Sequence, residues 1–335
     1  MKTGKALLLL VVGLLLPAGT GCRSTAAPPS ALSGSSPAVQ EAPADNSSVQ
    51  EAIDVELAFP GYARKAVTFS YDDGCIQDRR LTALFRDVYK RQAVRGKLTP
   101  DPRRIDFHDY RIARQQAKEA GRFFVWSGVN VFESIHPICG HENLLAGMAL
   151  DPDWVMDMVT VYSELAVELQ RTLFEQEGYP DGIWYFEDMG YKGHPFMSRA
   201  MYDELIQPGH IRTIRFAKEH DMPVIMHSCG YVEPLLGGMI EAGIDCLQAI
   251  EVKAGMDLLQ LQREYGDKIA FMGGIDVRAL YSNDREVIDR ELEAKIPVMK
   301  AGGNYILHSD HSIPKTVTPE TYRYFVEKGL SLGTY

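Results

Sequence analysis

Cysteine is too scarce and too scattered in this sequence to build a disulfide framework. The cysteines are odd in number and share no repeated spacing: Cys22, Cys75, Cys139, Cys229 and Cys246. This pattern argues against a small secreted domain held together by disulfides. A metal ligand or a buried thiol is the use that the pattern favours.

Excess positive charge is also missing. Lysine and arginine total 35 against 45 acidic residues, and the pI is about 5.4. A nucleic-acid-binding surface would need clustered basic residues, so no nucleic-acid partner is expected. A small-molecule substrate is therefore the expected binding partner. With 335 residues, 45% of them hydrophobic, the chain can bury a substantial core in one large or two ordinary domains.

No apolar run in the sequence is long enough to span a bilayer stably, and the longest run lies at the N-terminus. Lys2 and Lys5 precede an apolar run over residues 6–16, which is too short to span a bilayer stably. The following Gly19-Thr20-Gly21-Cys22 resembles a bacterial lipobox. The resemblance implies a lipoprotein-type signal peptide over residues 1–22, export, and a lipid anchor on Cys22 as the chain's one membrane contact. Residues 23–50 are rich in Ala, Pro and Ser, which predicts a disordered linker.

A different pattern follows over residues 51–86. The run from Lys65 to Gly74 is rich in β-forming residues and ends in Asp72-Asp73-Gly74. It resembles the first motif of the polysaccharide deacetylases, in which one aspartate is a base and the next a metal ligand. The pair of histidines one helical turn apart that those enzymes need does not follow. A strand that ends in an acidic turn is the alternative interpretation.

Residues 87–92 read Asp-Val-Tyr-Lys-Arg-Gln, where the deacetylase resemblance stops. GAT GTG TAT AAG AGA CAG, the transposase end sequence used in making sequencing libraries, encodes this hexapeptide. We interpret the segment as an adapter-like junction in a chimeric chain. An ordinary surface helix with mixed charges is the alternative.

Amplification from the source DNA across codons 85–97 tests the chimera hypothesis. The reaction is expected to fail, because the two flanking segments would not be neighbours in the genome. A clean product of the full length that encodes residues 87–92 would show instead that the segment is natural.

From residue 93 to the C-terminus, short apolar strands alternate with amphipathic helices, as in a parallel α/β sheet. Helices are predicted over 153–176, 198–220 and 284–300. Strands are predicted over 123–126, 183–186, 224–227, 246–250, 270–273 and 305–307. Six β/α units are two short of a closed (β/α)8 TIM barrel. We therefore predict an N-terminally truncated barrel domain over residues 93–335.

Polar residues recur where these strands end. They are Glu187 and Asp188, His227 and Cys229, Glu251, Asp276, and His308, Asp310 and His311. In a parallel barrel these ends share the face on which active sites are built. The predicted catalytic residues are Glu187, Asp188, Glu251, Asp276 and His311.

Five segments carry a more specific resemblance: residues 184–190, 227–230, 241–245, 271–276 and 310–314. In their order and spacing they resemble the uroporphyrinogen decarboxylase and corrinoid methyltransferase superfamily. The resemblance implies a cytoplasmic enzyme with a barrel fold, and the superfamily hosts more than one chemistry.

In the methyltransferase branch, zinc bound by a His-x-Cys pair and a later cysteine activates a thiol, which takes a methyl group from a corrinoid partner protein. The resemblance assigns the pair to His227 and Cys229, and the third position to His311, which replaces the usual cysteine. Zinc would lower the pKa of the thiol.

The alternative is the decarboxylase branch, which uses no metal. Its late histidine corresponds to His311, whereas its N-terminal Arg-Gln-Ala-Gly-Arg segment is absent. A cysteine two residues after His227 is not needed for decarboxylation, although Cys229 as a small buried residue is also an open interpretation. A third possibility is a non-functional chimeric fragment with unpaired sheet edges.

Overall fold

The computed structural model describes residues Leu98 to Thr334. The predicted signal peptide (1–22), linker (23–50), deacetylase-like fragment (51–86) and adapter-like junction (87–92) all lie outside the described residues. These four assignments stay predictions.

The described chain is built around one six-stranded parallel sheet. Its strands are β1 Val125–Val129, β2 Gly182–Phe186, β5 Val224–Ser228, β6 Cys246–Ala249, β7 Ala270–Gly273 and β8 Tyr305–Ile306. Their order along the sheet is β1-β2-β5-β6-β7-β8, so each strand pairs with the next one in the chain apart from a small hairpin, β3 and β4. The prediction of six consecutive parallel β/α units is confirmed.

Helices connect the strands on the outside of the sheet. They are α1 Phe107–Glu119, α2 Val131–Cys139, α3 His141–Leu150, α4 Pro152–Glu177, α5 Arg199–Met201, α6 Gln207–Lys218, α7 Glu233–Ala242, α8 Leu258–Tyr265, α9 Val277–Tyr281, α10 Arg285–Gly302 and α11 Pro319–Gly333. The hairpin after β2 consists of β3 Gly190–Tyr191 and β4 His194–Pro195, which pair antiparallel. Short 3-10 turns lie at Pro102–Arg104 and Val252–Ala254.

The long helix α4 shows how the local sequence sets the limits of an element. The Asp151 side chain accepts a hydrogen bond from the Trp154 amide, and Pro152 occupies the first turn, where no amide donor is needed. Gly178 ends the helix with φ 91°, a conformation that costs glycine little. Between these caps α4 buries Trp154 and Phe174 completely, and the Phe174 ring packs edge-on against Trp126 of β1 with centroids 5.9 Å apart.

The predicted single helix over residues 198–220 is interrupted. A π-helical turn at Tyr202–Ile206 separates α5 from α6, and its closing hydrogen bond runs from the Gln207 amide to the Tyr202 carbonyl. Pro208 follows at once and has no amide hydrogen to continue the regular helical pattern. The turn carries Tyr202, whose hydroxyl lies 2.9 Å from Nδ1 of His210 on α6.

Side chains alternate between the two faces of the sheet, as parallel strands require. One face packs against the helices in the main core and includes Trp126, Tyr185, Met226 and Phe271. The other face, called here the inner face, forms a separate small cluster centred on Val125, Trp184, Cys246 and Met272. Each fully buried side chain of this size stabilises the fold by roughly 1.5–3 kcal/mol.

The sheet is not closed into a barrel. Within residues 98–334, β1 and β8 lie at its two edges and do not pair with each other. The architecture is therefore the six-stranded open form of a (β/α)8 barrel, as the sequence predicts. In the same part of the chain, no helix combines the length and the apolar character needed to cross a membrane.

Candidate metal centre

Three potential metal donors converge at the carboxyl ends of β2 and β5. Asp188 follows β2 by two residues, His227 lies within β5, and Cys229 follows β5. The Nε2 atom of His227 is 3.3 Å from the Sγ of Cys229 and 3.3 Å from the Oδ1 of Asp188. The three donor atoms all lie within 4.8 Å of one another. Among the described residues, this is the group of histidine, cysteine and acidic side chains with the geometry to hold a metal ion.

The backbone fixes these donors because the β2–β5 pairing continues beyond the strands. The Glu187 amide donates to the His227 carbonyl at 2.9 Å, and the Met189 amide donates to the Ser228 hydroxyl at 3.1 Å. The Cys229 amide donates to Oδ1 of Asp188 at 2.7 Å. Asp188 and Cys229 are thereby held side by side before any ion is bound.

Two glycines make this close approach of the chains possible. A Cβ atom added at Gly230 would lie 2.2 Å from the carbonyl carbon of Gly190, and one added at Gly190 would lie 2.7 Å from the Cys229 carbonyl oxygen. Gly230 also has φ 81°, in the region that side-chain-bearing residues avoid. The backbone after Asp188 and the backbone after Cys229 therefore touch without intervening side chains.

Gln248 orients the imidazole from the neighbouring strand. It is paired with His227 in the β5–β6 register, is 2% exposed, and its Oε1 forms a hydrogen bond with Nδ1 of His227. An acceptor at Nδ1 keeps a hydrogen on that nitrogen and leaves Nε2 as the metal-facing atom. Gln248 therefore acts on the site through His227.

The charges of the group reinforce one another. Burial alone would disfavour the charged imidazole, but hydrogen bonds to Asp188 and Cys229 outweigh it and hold the pKa of His227 well above its ordinary value. Burial of Asp188 opposes ionisation as well, yet the hydrogen bonds from His227 and Cys229 prevail and lower the pKa of its carboxyl. Each of the two groups therefore favours the charged form of the other.

The donor set fits zinc. Nitrogen, sulfur and oxygen donors lie about 2.0–2.3 Å from tetrahedral zinc, which places any two of them about 3.3–3.7 Å apart. The two distances from Nε2 of His227, both 3.3 Å, are at the short end of that range. Three protein donors leave a fourth position for a substrate. The Asp188 side chain is 43% exposed, so a solute can reach the group.

Glu187, predicted to be catalytic, lies outside the donor group. Its side chain is fully buried, and its carboxylate accepts hydrogen bonds from the Phe132 amide at 2.7 Å and the Glu133 amide at 3.1 Å. It also contacts Nε2 of His210 at 2.6 Å, while Nδ1 of that ring lies 2.9 Å from the Tyr202 hydroxyl. Glu187 therefore caps α2 and links it to the π turn, out of reach of solvent.

The other predicted acids support the loops after β6 and β7. Glu251 accepts a hydrogen bond from the Gly230 amide at 2.7 Å and pairs with Lys253 at 3.2 Å. Asp276 caps α9 and pairs with Arg278 at 2.6 Å.

Asp310 is fully buried and accepts hydrogen bonds from the Val252 amide at 3.0 Å and the Val277 amide at 2.8 Å. Burial, only partly offset by these two bonds, raises the pKa of the Asp310 carboxyl. The carboxylate joins the loops that follow β6 and β7.

His311, predicted as a third metal ligand and a catalytic residue, is not a member of the donor group. It lies in the loop after β8, where its carbonyl accepts a hydrogen bond from the Ser309 hydroxyl at 2.7 Å. The structure thus brings together two of the three predicted ligands, His227 and Cys229, and adds Asp188, which the sequence had suggested only for catalysis. The role of His311 stays a prediction.

Sequence reasoning does not identify Gln248, and it predicts a catalytic role for Asp188 without including that residue among the metal donors. The signal for Gln248 was present in the alternation along β6, which places its side chain on the same face as His227 of the adjacent strand.

Comparison with known protein families shows to which family the chain belongs. The family described as uroporphyrinogen decarboxylase (URO-D) matches residues 132–329, more than half of the chain. The chain belongs to the uroporphyrinogen decarboxylase family. The matched region contains all three donors and Gln248, and it extends from the first residues of α2 into α11.

Individual members of the URO-D family and solved structures match this chain over only part of its length. The uroporphyrinogen decarboxylase of Vesicomyosocius okutanii subsp. Calyptogena okutanii (strain HA) is 35% identical over 72 residues, which are 22% of this chain and 21% of that relative. A methyltransferase from Methanosarcina mazei is similar in structure, with a TM-score of 0.53 at 16% identity over 66% of this chain and 63% of that one. Both alignments span less than two thirds of the relative's own length. The structural likeness shows the fold alone.

Proposed function

We propose that this URO-D family domain is a zinc-dependent methyltransferase that moves a methyl group from a corrinoid carrier protein to a small thiol. The observation that carries the proposal is the convergence of the donor atoms of Asp188, His227 and Cys229 within 4.8 Å of one another, with Nε2 of His227 3.3 Å from each of the other two. Decarboxylation needs no such group. The resemblance of the chain to corrinoid methyltransferases and the fold it shares with a methyltransferase agree with the proposal.

Each residue has a defined task in this proposal. Asp188, His227 and Cys229 would hold the ion, and Gln248 would keep Nε2 of His227 turned towards it. Zinc, when bound, would lower the pKa of the substrate thiol so that a thiolate exists at neutral pH. Cys229 and Asp188 would contribute negative charge, and their shared hydrogen bond would keep them from spreading apart.

The reaction itself is a displacement at the methyl carbon. The thiolate sulfur supplies the electron pair for the new carbon–sulfur bond, and the corrinoid retains the pair of the broken cobalt–carbon bond. The thiol proton leaves to solvent, which reaches the site beside the half-exposed Asp188. The protein's part is to orient the thiol and to present it at the open end of the strands, where a corrinoid carrier can approach.

A methyl-transfer assay tests the proposal directly. The full chain, loaded with zinc and given methylcobalamin in place of the carrier protein together with 1-propanethiol, should produce methyl propyl sulfide. Because the thiol is little ionised without the ion, the metal-free protein should be slower by about 100-fold or more. Equal rates with and without zinc would contradict the proposal.

Porphyrinogen decarboxylation is the second candidate. The observation in its favour is the 72-residue similarity to a relative that bears that name. Metal-free protein that decarboxylates a porphyrinogen while the methyl-transfer assay stays at background would establish this alternative. A full chain that is insoluble, or that folds without either activity, would support the third reading, a non-functional fragment.

A further inference from the structure

Three buried side chains form a chain of hydrogen bonds next to Asp188. Nε2 of His210 lies 2.6 Å from Oε1 of Glu187, and Nδ1 of the same ring lies 2.9 Å from the Tyr202 hydroxyl. All three residues are 0% exposed. A carboxylate oxygen only accepts, so Nε2 carries a hydrogen, and in the neutral ring the Tyr202 hydroxyl donates to Nδ1. We call these three residues the Glu187 anchor.

The anchor joins the end of a strand to the surrounding helices. Glu187 directly follows β2, His210 belongs to α6, and Tyr202 belongs to the π turn. Helix α2 adds two contacts, because the Phe132 amide donates to Oε1 of Glu187 and the Glu133 amide donates to Oε2. Phe132 and Tyr202 also pack in the main core. The Glu187 carboxylate is therefore held from two sides by helical elements that belong to the core.

The anchor sets the direction in which Asp188 leaves the strand. Along β2, Tyr185 packs in the main core and Phe186 against the inner-face cluster. The Glu187 amide continues the strand pairing, since it donates to the His227 carbonyl at 2.9 Å. Successive side chains of an extended chain point to opposite sides, so a Glu187 side chain held against α2 and α6 directs Asp188 to the inner side, where the other donors lie.

From this arrangement we infer that Tyr202 and His210 are positioning residues of the metal centre, which act through Glu187 to hold Asp188 as the third donor. The inference rests on the function proposed above. The contacts of the Asp188 side chain with the Cys229 amide and with His227 lie within the donor group. The anchor is a constraint from outside that group. It resembles the outer contacts that orient metal ligands in other proteins.

Zinc affinity of the full chain, measured by competition with a chelator, tests the inference. His210→Leu removes both hydrogen bonds of the ring and should weaken zinc binding about tenfold or more. His210→Gln can place an amide nitrogen near the position of Nε2 and should recover part of that loss. Thr213→Val, a fully buried change about one turn further along α6, is the matched control and should leave zinc affinity unchanged.

Tyr202→Phe is a milder change, because it removes one hydroxyl and keeps the ring. It should weaken zinc binding about two- to fivefold. Tyr305→Phe is its control. It removes a buried hydroxyl that donates to the Gly273 carbonyl at 2.9 Å on the edge strand β8. The two variants should lose similar stability, and Tyr305→Phe should keep its zinc affinity.

A double-mutant cycle separates positioning from a general loss of stability. If His210 acts through Asp188, His210→Leu should weaken zinc binding by no more than about twofold when it is added to Asp188→Asn. In the Co²⁺-loaded protein, the visible absorption of His210→Leu should approach that of Asp188→Asn, because the same donor has moved away from the ion. The near-ultraviolet absorption of the cobalt–Cys229 bond should persist in both.

Equal losses from His210→Leu in the wild-type and Asp188→Asn backgrounds would overturn the inference and leave the metal site intact. Unchanged zinc affinity in His210→Leu and Tyr202→Phe, or in Asp188→Asn, would do the same. A wild-type chain that binds neither Zn²⁺ nor Co²⁺ would overturn the proposed function, and this inference with it. If His210→Leu does not fold, Tyr202→Phe takes its place in the cycle and decides.

Discussion

The purified full chain is expected to contain close to one equivalent of zinc, and substitutions of the three donors should abolish it. Cys229→Ser and His227→Ala each change one member of the donor group, and among the described residues no other histidine, cysteine or acidic side chain belongs to that group. Removal of a supporting residue typically costs 10–100-fold in metal affinity, so loss of a ligand should cost about 100-fold or more. Competition with a chromogenic chelator measures the change.

Asp188→Asn distinguishes a ligand from a neighbour. Its amide oxygen can still accept the hydrogen bond from the Cys229 amide, so the loop geometry is preserved while the negative charge is lost. Zinc affinity should therefore fall without a matching loss of stability. Asp276→Asn is the control, because that carboxylate follows β7, pairs with Arg278, and is outside the donor group.

His311→Ala decides between the ligand set suggested by the sequence and the one seen in the structure. With Asp188 as the third donor, this variant should retain its zinc, and Gln248→Leu should show the intermediate 10–100-fold weakening expected for a residue that orients a ligand. Loss of zinc in His311→Ala together with its retention in Asp188→Asn would restore His311 as a ligand. Absence of zinc from the wild-type chain would refute the site altogether.

The strands were predictable because their signals are local. The apolar run Ala270–Gly273 is found with its predicted limits, and Val224–Ser228 differs from prediction by one residue. β1 is displaced by two residues at its start, to Val125–Val129, because its limits are set by pairing with Gly182–Phe186 and not by its own apolar run. Pairing is a property of two strands, and one strand's composition does not reveal it.

The site was only partly predictable for the same reason. The His227 and Cys229 pair lies within three residues, so a linear pattern captures it. Asp188 joins the pair through a hydrogen bond across 41 positions of the chain, and Gln248 joins through one across 21. Glu187 stands next to Asp188 in the sequence, yet successive residues point in opposite directions, and its carboxylate turns towards His210 and away from the donors. The donor group therefore does not include Glu187, and its predicted catalytic role stays a prediction.

Gly230→Ala is expected to be the most damaging single change in the backbone around the site. The added methyl group would lie 2.2 Å from the carbonyl carbon of Gly190, against backbone and not against a flexible side chain that can move aside. The backbone strain at φ 81° adds to this clash. Together we expect a loss of about 3 kcal/mol or more in the free energy of unfolding. Zinc should be lost as well, because Cys229 is displaced from Asp188.

Gly193→Ala isolates the contribution of the clash. Gly193, in the turn between β3 and β4, has φ 82°, almost the same as Gly230, but an added Cβ would meet nothing within 4 Å. It should therefore show the conformational cost alone, about 1–2 kcal/mol, and should retain zinc. Urea denaturation of both variants at the same pH measures the difference. Equal destabilisation would mean that the segments after Asp188 and Cys229 can separate without cost. In that case the contact between Gly190 and Gly230 would not be what holds the two donors together.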